Sequence, residues 1–287
     1  MFCDLHTHSI FSDGTCTPEE LVDNAIKAGL SAVALTDHNT VDGLPDFVSA
    51  ASEKNITCVA GAEFSADYNG KELHILGLFI PPEHFDKVSD LMLIGNIRKE
   101  ESNLALIESL NQAGYNLNYE AIKSSTPNGK INRAHIAAAM LEKGYINSVT
   151  EAFDTVLSPV VGYYKVPERI TAQEIIKFID SIGAVSVLAH PFFVSRGKEL
   201  LNENELVDFI TSIQGLDGME CYYSTYDEAA TEKAVKIADR FGLIKSGGSD
   251  FHGSLKPDIQ LGIGKGNLKI PHKCYLELKE RACSKRR

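Results

Sequence analysis

The chain has 287 residues, 28 of them basic and 39 acidic, which gives a formal net charge of −11. Its hydrophobic fraction of 44% and charged fraction of 23% are ordinary for a globular protein and exclude a wholly disordered chain. The acidic balance disfavours a protein that binds nucleic acid through a broad basic face, although it allows an anionic ligand at one local site.

Seven short apolar segments have the composition of buried strands. Each is bounded by glycine or polar residues, and continuous apolar character is typical of parallel strands that are buried on both faces. Helical patterns separate several of the segments, which predicts a βαβα arrangement. The segments lie at residues 2–6, 32–36, 57–63, 73–80, 184–189, 216–222 and 243–247.

Two of the intervening helices have well-marked starts. Residues 17–20 (TPEE) show the capping-box pattern with proline at the first helical position, and residues 171–174 (TAQE) repeat the pattern without proline. Gly29 and Gly183 follow at the points where these helices are expected to end.

The segment at 82–166 interrupts this alternation of strands and helices, because it contains no strand-like run and is richer in polar residues. Its apolar residues recur at helical spacing, and residues 124–130 are its most loop-like stretch. We therefore predict an α/β barrel formed by residues 1–81 and 167–287, with an all-helical subdomain inserted at 82–166.

Histidines and carboxylates cluster at the carboxyl ends of the predicted strands. His6 ends the first strand, Glu63 closes the third, and His74 lies within the fourth as a side chain of the barrel interior. In a parallel barrel the carboxyl ends of the strands converge on one face, where the active sites of barrel enzymes lie. Nine side chains are predicted to meet there: His6, His8, Asp13, His38, Glu63, His74, His190, Asp250 and His252.

This set of side chains predicts a metal centre. Imidazole and carboxylate groups together suit Mn²⁺, Zn²⁺ or Fe²⁺ and are poor ligands for Ca²⁺. Because an open catalytic site uses three or four protein ligands, nine donors predict two or three ions that share a carboxylate. Each motif alone has an ordinary structural interpretation, and their coincidence at strand ends favours the metal. A nucleophilic Ser249 is a less favoured alternative.

The same residues carry a resemblance to a known family. The motifs resemble those of the PHP (polymerase and histidinol phosphatase) family, in the same order from residue 1 to about residue 265. The resemblance implies a distorted (β/α)7 TIM-like barrel that holds a trinuclear metal centre. The motifs are DLHTHS at 4–9, SDG at 12–14, TDH at 36–38, GAE at 61–63, AHP at 189–191 and GSDFH at 248–252.

The resemblance also implies how the ligands are divided among the ions. Some family members have histidine where this chain has Asp13. The third ligand set here therefore includes a carboxylate oxygen, which is a chemically harder ligand than an imidazole nitrogen. The implied sets are His6, His8, Glu63 and Asp250 for the first ion; Glu63, His74 and His190 for the second; and Asp13, His38 and His252 for the third.

The helical insertion and the stretch at 132–135 (NRAH) resemble one branch of the family, small phosphoesterases that include a 3′,5′-nucleoside bisphosphate phosphatase. The guanidinium of Arg133 offers paired donors that match phosphate oxygens. Arg133, His135 and Arg196 are therefore predicted to bind substrate. Asp37 and His135 are candidates for proton transfer to the leaving group.

The predicted function is hydrolysis of a phosphate monoester on a small nucleotide, such as a nucleoside 3′,5′-bisphosphate, by metal-activated water. Mn²⁺ is the expected ion, and Zn²⁺ and Fe²⁺ are alternatives. A histidinol phosphatase and a 5′→3′ exonuclease on short oligonucleotides are alternative enzymes. A catalytically inactive metal-binding structural module is the alternative from a different class.

The location of the protein is predicted from what the sequence lacks. No basic segment followed by an apolar one opens the chain, and no apolar run approaches the ~18 residues that cross a membrane. The six cysteines are scattered without a CxxC pair, which is typical of reduced thiols. We expect a soluble cytoplasmic protein that acts on a small phosphorylated partner and does not bind membranes.

Overall fold

The computed structural model describes residues 1–52, 54, 56–126, 131–195 and 198–287. Within this part the chain divides into two compact units, which are Met1–Asp90 with Arg169–Arg287, and Leu91–Glu168.

Strands and helices alternate along most of the first unit, whereas helices make up the second. The strands are β1 (Cys3–Asp4), β2 (Ala32–Leu35), β3 (Thr57–Tyr68), β4 (Lys71–Leu78), β5 (Val185–Leu188), β6 (Val194–Ser195), β7 (Lys198–Glu199), β8 (Gly218–Tyr223) and β9 (Ile244–Gly248). The helices are α1 (Pro18–Lys27), α2 (Leu44–Ser52), α3 (Phe85–Gln112), α4 (Tyr119–Ser125), α5 (Arg133–Glu142), α6 (Val149–Asp154), α7 (Ala172–Ser181), α8 (Glu203–Ser212), α9 (Glu228–Phe241) and α10 (His272–Lys285).

Seven of these strands form a nearly closed barrel. They pair in the order β1-β2-β3-β4-β5-β8-β9, and β6 pairs with β7 separately. Backbone hydrogen bonds join the two ends of the sheet, because the Leu5 N–H donates to the Gly247 carbonyl over 3.1 Å and the Asp250 N–H donates to the His6 carbonyl over 2.9 Å. The fold is a distorted TIM-like barrel with an inserted all-helical subdomain, as predicted.

The expectation of parallel strands is wrong at β4, which runs antiparallel to both β3 and β5. The cause is a two-residue turn, because Tyr68 pairs with Lys71 and leaves Asn69 and Gly70 between them with φ values of 53° and 79°. Asn-Gly with positive φ at both positions is the preferred turn of a β-hairpin. The sequence therefore contained the signal for this hairpin.

The hairpin changes where one predicted ligand lies. β3 continues for five residues beyond Glu63 and ends at Tyr68, so Glu63 lies inside a strand and does not close one. His74 lies on β4 opposite Ser65, two residues along β3 from Glu63. His6 also departs from its predicted position, because β1 ends at Asp4 and His6 follows in the next stretch of chain.

The helix starts follow the capping patterns in the sequence. At α1 the Glu20 N–H donates to Thr17 Oγ1 over 3.1 Å, and the Thr17 N–H donates back to Glu20 Oε2 over 2.9 Å. α7 has the same reciprocal cap from Thr171 and Glu174. Gly29 and Gly183 follow these helices with positive φ, which glycine adopts at no steric cost. Both predicted helix starts are confirmed.

The second unit has its own apolar core, in which side chains of α3 and α5, such as Leu106, Leu110, Ile136 and Met140, pack together. The described residues of 82–126 and 131–166 contain no strand. The end of the predicted loop, at 127–130, lies outside the described residues. The domain boundaries at 82 and 166 stay a prediction.

No helix in the described part of the chain has the length and apolar character needed to cross a bilayer. The six cysteines are free thiols. The cytoplasmic location stays a prediction.

Asp217 anchors the C-terminal helix to the barrel. Its buried carboxylate accepts hydrogen bonds from Lys285 Nζ over 2.6 Å, from Arg281 Nε over 2.8 Å and from the Ser186 N–H over 2.9 Å. We expect Asp217→Ala to lower the free energy of unfolding by about 3 kcal/mol, because it leaves the buried Lys285 ammonium with one exposed partner. Urea denaturation measures this loss.

Asp180→Ala is the matched control for that experiment. Asp180 also pairs with Lys285, at 2.8 Å, but its side chain is 59% exposed, so its removal should cost no more than about 1 kcal/mol. Equal losses from the two variants would contradict the assignment of the anchor to Asp217.

Candidate metal centre

Glu63 lies at the centre of the site. Its side chain is fully buried and projects from the middle of β3. Both carboxylate oxygens face imidazole nitrogens, which is the environment of a carboxylate shared between ligand sets. Five histidines surround the two oxygens at 2.8–3.3 Å, namely His6, His8 and His38 at Oε2, and His74 and His190 at Oε1.

Asp250 contributes the second buried carboxylate, two residues after β9. Its Oδ1 lies 3.2 Å from His8 Nε2 and 3.7 Å from His6 Nε2. Its Oδ2 accepts hydrogen bonds from the Tyr223 hydroxyl over 2.7 Å and from Lys256 Nζ over 2.8 Å. These bonds to Oδ2 orient the carboxylate and leave Oδ1 directed at the histidines.

Asp13 is the most exposed carboxylate of the cluster, with a side chain that is 33% exposed. Its Oδ1 lies 3.2 Å from His252 Nε2 and 3.9 Å from His8 Nδ1, and its Oδ2 lies 3.9 Å from His38 Nε2. The structure thus brings together the residues of the third predicted ligand set, and adds the second nitrogen of His8 to them.

The nine side chains form four overlapping groups that fit divalent ions. Within each group the ligand atoms lie within 4.8 Å of one another. Asp13 Oδ1 and His74 Nδ1 are buried atoms whose neighbours in the cluster do not meet hydrogen-bond geometry, and each such atom costs about 1–3 kcal/mol unless it is paired. A bound cation would satisfy them. The groups are His8, Asp13, His38 and His252; His6, Glu63 and His190; His6, His8 and Asp250; and His38, Glu63 and His74.

Burial and mutual attraction shift the pKa values of these groups. Burial disfavours the charged form of Glu63, but the facing imidazoles of His38 and His6 outweigh this and hold the pKa of Glu63 well below its ordinary value. Burial lowers the pKa of His38 to about 3. Burial also opposes charge on His8, but hydrogen bonds to Asp250 and Glu63 raise its pKa to about 9.

Two of the candidate ligands have left-handed backbones. His190 and Asp250 have φ values of 29° and 56°, a region that aspartate tolerates but histidine adopts only with strain. Each lies two residues beyond its strand, β5 or β9. Backbone strain of this kind concentrates at functional sites, where the surrounding structure maintains it.

Sequence reasoning missed three residues that hold these ligands. Tyr223 and Lys256 bond to Asp250, and the fully buried Glu220 on β8 bonds to His6. The only signal for Glu220 was a charged residue within an apolar strand. Nothing in the sequence pattern distinguished Tyr223 or Lys256 from other polar residues.

The predicted substrate residues Arg133 and His135 belong to the second unit. The guanidinium of Arg133 lies over the ring of Tyr164, 4.3 Å from its centroid, and donates to the Leu157 carbonyl over 3.4 Å. His135 Nδ1 accepts from the Asn132 N–H over 3.1 Å and so caps α5. Their part in substrate binding stays a prediction. Arg196 lies outside the described residues.

Asp37 lies two residues after β2 and is buried. Its carboxylate accepts hydrogen bonds from the N–H and hydroxyl of Ser9, over 2.8 and 2.6 Å, and from the Ser12 hydroxyl over 2.5 Å. These contacts hold the loop that follows His8. Proton transfer by Asp37 stays a prediction.

Comparisons with known proteins identify similar chains. Residues 4–182 match the PHP domain family. A 5′-3′ exoribonuclease from Haemophilus influenzae is 30% identical over 250 residues, which cover 87% of this chain and 89% of that protein. A 3′,5′-nucleoside bisphosphate phosphatase from Chromobacterium violaceum is also 30% identical over 250 residues, covering 87% and 86%. A crystal structure described as a metal-dependent phosphoesterase from Bifidobacterium adolescentis has a TM-score of 0.79 at 29% identity and covers 97% of this chain and 96% of its own.

Proposed function

The chain belongs to the PHP domain family and is a metal-dependent phosphoesterase, and we propose that it hydrolyses phosphate monoesters of small nucleotides, such as nucleoside 3′,5′-bisphosphates. The observation that carries this proposal is the convergence of six histidines with the carboxylates of Asp13, Glu63 and Asp250. We propose that they hold two or three divalent ions, with Mn²⁺ the first candidate.

Bound ions of this kind supply a water of lowered pKa and polarise phosphoryl oxygens. The protein's part is to hold the ligands: Glu63 contacts both ends of the cluster, and Tyr223 and Lys256 orient Asp250. Asp13 occupies the more exposed side of the cluster. Lys256, with a side chain that is 40% exposed, places a cation beside Asp250, which supports binding of an anionic substrate.

The choice of a small nucleotide rests on two further observations. A net charge of −11 opposes the binding of long nucleic acids, whereas the proposed divalent ions form a local positive charge that suits one phosphate group. A relative at 30% identity is named a 3′,5′-nucleoside bisphosphate phosphatase. We propose Arg133, His135 and Arg196 as further contacts to the substrate, and Asp37 or His135 as the proton donor to the leaving group.

Turnover of three substrates side by side tests this function. Metal-loaded protein is given a nucleoside 3′,5′-bisphosphate, histidinol phosphate and a 5′-phosphorylated oligonucleotide, and kcat/KM is measured for each. The bisphosphate should give the highest value. A higher value for histidinol phosphate or for the oligonucleotide would favour the corresponding alternative enzyme, and bound metal without turnover of any phosphoester would favour a structural module.

A further inference from the structure

One buried carboxylate outside the nine ligands contacts two of them at once. Glu220, on β8, is fully buried, and its Oε1 and Oε2 lie 3.2 and 3.3 Å from His6 Nδ1. Its Oε2 also accepts a hydrogen bond from the His190 N–H over 2.8 Å. Glu220 therefore joins a ligand that follows β1 to a ligand that follows β5.

The contact with His6 fixes which ring nitrogen carries the proton. An ionised carboxylate only accepts hydrogen bonds, so His6 Nδ1 must be the donor in this pair. In the neutral His6 ring the lone pair is then on the other nitrogen, Nε2, which lies 3.1 Å from Glu63 Oε2 inside the cluster. A carboxylate behind a histidine commonly sets the tautomer and orientation of a metal ligand in this way.

The contact with His190 stabilises a strained backbone. A φ of 29° is strained for histidine, and a short hydrogen bond to a carboxylate is stronger than one to a neutral acceptor. The bond from the His190 N–H therefore helps to hold this backbone conformation. It holds His190 where Nε2 lies 3.1 Å from Glu63 Oε1.

We propose that Glu220 is a positioning residue that fixes His6 and His190 as metal ligands through a single carboxylate. The inference rests on the proposed metal-dependent function. Glu220 makes its hydrogen bonds to His6 and His190 and none to Asp13 or His252. Its loss should therefore weaken the ligand groups around Glu63 and spare the group around Asp13.

Two variants separate the shape of the side chain from its charge. Glu220→Ala removes both hydrogen bonds. Glu220→Gln keeps the volume, and an amide oxygen at the position of Oε2 still accepts from both His6 and His190, whereas the charge and the second acceptor toward His6, Oε1, are lost. Asp217→Ala is the matched control. It also removes a buried carboxylate, from the residue just before β8, and that carboxylate bonds to Ser186 and Lys285 rather than to a candidate ligand.

Titration of metal-free protein with Mn²⁺ tests the proposal. Glu220→Ala should bind about 10–100-fold more weakly at the sites that use His6 and His190, and Glu220→Gln should lie between it and the original protein. Asp217→Ala should bind Mn²⁺ with unchanged affinity. Unchanged affinity in both Glu220 variants, or an equal loss in Asp217→Ala, would overturn the proposal.

A spectroscopic measurement tests the role of Glu220 without activity. In ¹⁵N-labelled, Zn²⁺-loaded protein, His6 should carry its ring proton on Nδ1, and this signal should be absent or shifted in Glu220→Ala. A proton on Nε2 of His6 in the unaltered protein would overturn the inference. If the unaltered protein binds neither Mn²⁺ nor Zn²⁺, the proposed function itself fails, which is a distinguishable result.

Discussion

Replacing Glu63 with glutamine is expected to remove phosphoesterase activity almost completely. The carboxylate faces five imidazoles, and the amide offers only one acceptor oxygen and no charge to a fully buried site. Loss of an outer partner of a metal ligand typically costs about 10–100-fold. Because Glu63 belongs to two ligand groups itself, we expect a loss of at least ~10³-fold in kcat/KM, with fewer metal ions bound per chain.

Asp67→Asn on the same strand is the control for this variant. Among the described residues its Oδ2 accepts from the Gly70 N–H alone, in the turn of the hairpin, so activity should stay within about twofold of the original. Near-normal turnover by Glu63→Gln would show that the reaction does not depend on this carboxylate, and the metal centre would then have to be reassigned.

Replacing Gly248 with alanine is expected to damage the site through packing alone. A methyl group at Gly248 would lie 2.1 Å from His6 Cβ and 2.7 Å from its backbone nitrogen. These atoms belong to the seam where the chain after β1 meets β9, so they cannot move unless the seam opens. We expect a loss of about 3 kcal/mol in stability and, since a displacement near 1 Å at a site costs about 10²-fold, a similar fall in activity.

Gly95→Ala in α3 provides the comparison. An added methyl there meets no atom within 4 Å, and alanine favours a helix over glycine by about 1 kcal/mol, so this variant should be neutral or slightly more stable. Urea denaturation measures the stability of both variants, and phosphate release measures their activity. Full activity in Gly248→Ala would mean that the barrel accommodates the methyl group without moving His6.

The barrel was predictable because its signals are local. Continuous apolar runs marked the strands, and capping pairs such as Thr17 and Glu20 marked the helix starts. The antiparallel direction of β4 was also encoded, in the Asn69-Gly70 turn, but apolar composition alone does not report direction. Strand direction is set by the turn that joins two strands, and both kinds of neighbour give the same apolar run.

The candidate ligands were predictable for a different reason. Charged and imidazole side chains beside buried strands stand out in a sequence, and nine of them in one order form a specific pattern. Their supporting residues do not stand out. Glu220 reaches His6 across 214 positions of sequence, and Tyr223 reaches Asp250 across 27, so only the closed barrel shows these contacts.

Metal content and phosphate release, measured on the same sample, test the central claim most directly. The protein is assayed with a nucleoside 3′,5′-bisphosphate before and after dialysis against a chelator, and again after addition of Mn²⁺. We expect two or three ions per chain in the active sample, a parallel loss of ions and turnover, and recovery of both with Mn²⁺. Undiminished phosphate release from protein that has lost all its metal would contradict the claim.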